Sequence, residues 1–121
     1  MTAAARSVQV FSVYLVLLGS VLLVAPNPLL QAFGLPPTSE VWIRVVGMLV
    51  LYLGIYYWLA AAAQFVPFFR ATVLIRFAVP VFFLIFVWGG WARWPLLLFG
   101  LVDAAGAAWT WLALRRPTAA G

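Results

Sequence analysis

Residues 98–116, LFGLVDAAGAAWTWLALRR, read as an apolar helix with one carboxylate, Asp103, near its middle and two arginines closing its end. A helix of this length and character crosses a bilayer, where an unpaired charge is costly and ordinarily has a partner or a task. The rest of the chain agrees with that solvent. Of 121 residues 68% are hydrophobic and only 7% charged, far from the roughly 25% charged usual in a soluble domain. So few charges could not cover so much apolar surface in water. The sequence is that of an integral membrane protein.

Cysteine and histidine are both absent. With them go disulfides, zinc and haem ligation, iron-sulfur clusters and the commonest acid/base side chain. The sequence therefore implies no metal site and no cofactor of its own. The net charge of +5 comes from seven arginines set against Glu40 and Asp103. These arginines lie at helix ends rather than in one patch with interleaved aromatics, so they read as topology and not as nucleic-acid binding.

Four apolar segments, at about 8–25, 40–65, 68–89 and 95–115, are each long enough to span. They lack period-2 alternation, and a backbone in lipid must satisfy itself, so all four are expected as helices. The expected architecture is a single all-α domain: a four-helix membrane bundle running up-down-up-down. The first segment exceeds a usual signal-peptide core and Pro26 disfavours cleavage after Ala25, so it is read as a retained span. Seven of the eight prolines (Pro26, Pro28, Pro36, Pro37, Pro67, Pro95 and Pro117) mark segment boundaries. Pro80 lies inside the third span and predicts a kink there. Between the first two spans, PNPLLQAFGLPPTSE predicts a short interfacial helix over Leu29 to Phe33 stopped by Gly34, followed by Thr38 or Ser39 as the cap of span 2. Glu40 would then fall in the first turn of that span. The remaining connections are only a few residues long, which makes spans 2, 3 and 4 expected sequential neighbours.

Arg6, Arg70, Arg115 and Arg116 fall on one side of this arrangement and Arg93 on the other. The excess places both termini in the cytoplasm. Trp42, Trp88, Trp91 and Trp94 form an outer aromatic belt, and Trp58, Trp109 and Trp111 an inner one.

Depth arithmetic then decides which polar groups can meet. At about 1.5 Å per residue, Asp103 lies about 12 Å below the outer surface, Arg44 about 7–8 Å, and Arg76 about 18 Å. Both arginines are within a turn of Asp103 in depth. Side chains lean toward their own helix N-terminus, which carries Asp103 toward Arg44 and Arg76 away from it. Asp103 with Arg44, seconded by Glu40, is thus the favoured pairing. Asp103 with Arg76 is the alternative, and Arg76 could otherwise snorkel to the cytoplasmic face. Arginine keeps its charge while a lone carboxyl in hydrocarbon takes up a proton, so the acid is read as serving an arginine. Tyr52 and Tyr56, one turn apart on span 2, could line a polar cleft with Tyr14, or simply pair with nearby carbonyls. Small residues at Gly47, Gly54 and Ala61, and at Gly100, Ala104 and Ala108, permit close helix approach within the bundle or with a partner.

SEVWIRVVGMLVLYLGIYYWLAA, FFRATVLIRF and LFGLVDAAGAAWTWLALRR together resemble small bacterial four-span proteins, loosely the DoxX-like membrane proteins. The resemblance implies a four-helix bundle in the bacterial inner membrane. It also implies an accessory subunit of a membrane redox complex, or a pocket for a lipophilic molecule. The residues themselves offer no nucleophile with a base, no paired carboxylates and no phosphate loop. That inventory favours a non-catalytic accessory or scaffolding subunit, or a self-associating bundle whose partners are lipid, a membrane protein or its own copies. The rival reading is a transporter, or a binding protein or enzyme for a quinone, isoprenoid or lipid, with a pocket of Arg44, Asp103, Arg76, Glu40, Tyr52 and Tyr56.

Overall fold

A computed structural model describes residues 1–116; Pro117, the last of the boundary prolines, lies outside them. The described residues form five helices: α1 (Ala3–Val24), α2 (Pro26–Ala32), α3 (Trp42–Ala62), α4 (Val66–Trp88) and α5 (Leu96–Arg115). All but α2 are long and apolar enough to cross a membrane, so the chain is a multi-pass membrane protein.

Each boundary has a local cause. α1 begins five residues before the expected span because the Thr2 hydroxyl accepts the Ala5 amide at 3.1 Å, capping an alanine-rich first turn. α2 starts on Pro26 and ends in a Schellman turn at Gly34 (φ 69°), where Leu35 N–H bonds Leu30 O at 2.8 Å. The same turn closes α3 at Gln64 (φ 51°) and α4 at Gly90 (φ 80°). α3 begins at Trp42, later than expected. The Thr38 hydroxyl accepts the Glu40 amide at 3.1 Å in a local turn and caps no helix, so Glu40 stays outside the first turn of α3. α4 continues through Pro80.

α1 is the centre of the arrangement, packing along α3 on one side and against α5 on another, while α4 packs on α5. The α1–α3 contact is the closest because glycines face each other across it. A Cβ at Gly47 would lie 2.8 Å from Gly19 O, and one at Gly54 would lie 2.8 Å from Val16 N. Gly47, Gly54 and Ala61 are all buried, so this stripe serves packing within the chain. α3 and α4, expected as side-by-side neighbours, instead meet chiefly where their short connection forces them together. There Tyr57 packs edge-on against Phe68 at 5.2 Å. The glycine seam draws α3 onto α1, and this outweighs the short connection to α4. On α5, Gly100 receives α4: a Cβ there would lie 3.0 Å from Pro80 Cα.

Candidate functional site

The polar centre of the bundle is built around Arg76 on α4. It is only 1% exposed and is the largest fully buried side chain among the described residues. One turn earlier, Thr72 turns its hydroxyl hydrogen onto Phe69 O at 2.8 Å, which leaves its lone pairs free to accept from Arg76 Nη2 at 3.0 Å. Arg76 Nη2 also donates to Thr110 Oγ1 of α5 at 2.8 Å, and Nε donates to Thr72 O at 3.3 Å. The chain of hydroxyls continues into α1, where Ser7 Oγ and Thr110 Oγ1 are 2.7 Å apart. Ser7 gives its only hydrogen to Ala4 O at 2.7 Å, so Thr110 must be the donor to Ser7. The donors thus run in one direction, from Arg76 to Thr110 to Ser7 to a backbone carbonyl. Ser7, Thr110 and Arg76 are all buried, and at low local dielectric each bond polarises the next.

Aromatic rings close the site. The guanidinium carbon lies 4.8 Å from the centroid of Phe11 on α1 and 5.8 Å from that of Tyr57 on α3. Rings at this range attract a cation through their quadrupole, more strongly when both are desolvated. Gly106 makes the flush packing possible, since a Cβ there would sit 2.7 Å from Phe11 Cδ2 and 3.2 Å from Arg76 Nη1. Gly106→Ala is therefore expected to displace the ring that seals the arginine and to lower stability by about 1–3 kcal/mol. Denaturant unfolding in mixed micelles measures this. Arg76 consequently touches α1, α3 and α5 at once, and one side chain ties all four spans together.

Arg76 Nη1 is buried, and among the described residues no oxygen accepts its hydrogens. Asp103 is half-buried one turn before Gly106, and no hydrogen bond joins it to Arg76 among the described residues. Hydroxyls and rings make the close contacts of the guanidinium.

Of the residues singled out in the sequence, Arg76 lies at the polar centre and Asp103 is half-buried on α5, with no ion pair between them among the described residues. Arg76 does not snorkel. Arg44 is exposed, and its Nη1 donates to Leu23 O at 2.6 Å and Val24 O at 3.0 Å, the terminal carbonyls of α1. Those carbonyls lack helical partners and lie beside Arg44, so they take the guanidinium that the depth argument assigned to Asp103. Glu40 is exposed and outside α3, and makes no second partner for Arg44. Tyr52 and Tyr56 are exposed and point away from the polar centre. Arg44→Gln should cost about 1 kcal/mol or less, the usual worth of a cation at a helix C-terminus. Thermal unfolding in detergent reads that difference.

Thr72, Thr110, Ser7, Phe11 and Tyr57 went unnoticed in the sequence. Two of them carried a readable signal: Thr72 is one helical turn before Arg76, and Thr110 is two turns after Asp103 on the same stripe. The chain matches no family model, no curated protein and no solved structure, so its function rests on this geometry alone.

Proposed function

We propose that the chain is a non-catalytic membrane protein that acts by association, as an accessory or scaffolding subunit or as a self-associating bundle. The observation that carries this reading is the sealing of Arg76. Arg76 is 1% exposed, and its partners are the Thr72 hydroxyl of its own helix and a hydroxyl and two rings of the other three spans. A residue so enclosed holds helices together. The topology proposed with it is four successive crossings of a bacterial inner membrane with both termini in the cytoplasm, supported by the excess of arginines on that side. Trp111 and Arg115, stacked at 4.8 Å, suit an interfacial anchor at the end of α5. A loose DoxX-like relationship is compatible with such a role and is part of the proposal.

One observation favours a second reading. Arg76 Nη1 lacks an acceptor, and Gly106, which it lies against, lines a groove of about 260 Å³ between α1 and α5 together with Phe11, Tyr14 and Trp109. A lipophilic molecule with an acceptor oxygen, such as a quinone, an isoprenoid derivative or a lipid, would enter there if Phe11 moved aside. Purification in mild detergent followed by native mass spectrometry separates the two. The association reading expects a protein partner or a second copy at fixed stoichiometry. A monomer retaining one lipophilic molecule would overturn it in favour of the second.

A further inference from the structure

α3 has two long faces, and the bundle uses only one. Gly47, Gly54, Tyr57 and Ala61 are buried. About half a turn away around the helix lie Leu49, Tyr52, Tyr56 and Leu59, spaced by three, four and three residues as in a two-helix seam. Among the described residues no other helix covers that seam: Tyr52 is 48% exposed and Tyr56 62%.

Exposed leucines are at home in lipid, but the hydroxyls are not. Tyr52 is ten residues from each end of α3, or about 15 Å from either surface at the usual helical rise, which is the middle of the bilayer. Tyrosines that face lipid ordinarily sit at the headgroups, where the hydroxyl is wet. Neither hydroxyl finds a hydrogen-bond partner among the described residues, and in hydrocarbon no water supplies one.

We propose that this seam binds a second copy of the chain, α3 against α3, with Tyr52 and Tyr56 hydrogen-bonding to their own counterparts. The proposal rests on the association reading and names its partner. Copies inserted in one orientation pair about a two-fold axis along the membrane normal, so the two α3 helices run parallel and each residue meets its own copy at equal depth. Such a seam must be self-complementary, which a charged residue is not. Leucine packs against leucine, and a phenolic hydroxyl both donates and accepts. The seam consists of those two residue types alone.

The absence of native cysteine makes the test direct. Leu49→Cys and Leu59→Cys on the seam, and Leu74→Cys and Leu101→Cys on exposed faces of α4 and α5, are introduced singly into the full chain and oxidised in membranes with copper phenanthroline. The two seam variants should give a disulfide-linked band at twice the chain mass, several-fold above the two controls. Tyr52→Phe with Tyr56→Phe, which keeps the rings and removes the hydroxyls, should weaken dimerisation in liposomes by about tenfold, given about 0.6 kcal/mol or more for each interhelical hydrogen bond in a membrane. Equal or absent crosslinking at all four positions overturns the proposal. A seam crosslink to a different protein also overturns it, yet leaves the association reading standing. A monomer holding a lipophilic molecule overturns both.

Discussion

Gly19→Leu should separate α1 from α3 and leave the protein without its tightest helix contact, a loss of about 3 kcal/mol or more. A Cβ at Gly19 would collide with Leu51 N and lie 2.7 Å from Gly47 O and 2.8 Å from Leu51 Cα. Every one of those atoms is backbone, so no side chain can rotate away and the helices themselves must part. Overpacking a close core already costs about 1–3 kcal/mol where neighbours can shift. Here they cannot, and leucine adds three further carbons beyond the Cβ. Gly47→Leu should behave alike, because a Cβ there would lie 2.5 Å from Leu23 N and 2.8 Å from Gly19 O. Ala105→Leu, at an exposed position of α5, is the control and should stay within about 0.5 kcal/mol of wild type. SDS titration of the purified protein in mixed micelles gives all three values.

Thr110→Val is expected to be the most harmful change that alters almost no volume. The Thr110 hydroxyl accepts from Arg76 Nη2 and stands next to Ser7 Oγ, so its loss breaks the path from the guanidinium to α1. The charge stays behind, fully buried, with Thr72 as its one remaining hydrogen-bonding residue. Leaving a buried charged group short of a partner costs about 3 kcal/mol, several times the net worth of an ordinary hydrogen bond. Thr110→Ser, which keeps the hydroxyl, should recover most of that loss.

How far the sequence foretold the molecule depends on what kind of information each feature needs. Apolar length and proline punctuation showed the four spans and the helix at α2, and Gly34 stopped that helix where its backbone freedom allows. Spacing along each helix was also legible, since it follows from rise per residue. Azimuth was not. Arg44 faces the open carbonyls of α1 rather than Asp103.

Part of the azimuth could have been read within α3 itself. Gly47, Gly54 and Ala61 fix the packed face, and helical geometry puts Tyr52 and Tyr56 on the far side from it. The threonines escaped notice because a hydroxyl in an apolar helix ordinarily bonds its own preceding turn, as Thr72 does with Phe69. Only the assembled bundle shows Thr110 turned toward an arginine on α4, thirty-four residues away in the chain.

If the Arg76 network acts by holding the helices together, Arg76→Met combined with Thr110→Val should spare the fold. Methionine fills much of the space of the arginine stem and removes the charge, while Ser7 keeps Ala4 O and Thr72 keeps Phe69 O as partners. No stranded guanidinium remains, and replacing a buried polar set by apolar groups of like volume is often close to neutral. The double variant should therefore unfold within about 1 kcal/mol of wild type, far above Thr110→Val alone, with association unchanged. A double variant as unstable as Thr110→Val, or one that is stable but no longer associates, would overturn a purely structural role for Arg76.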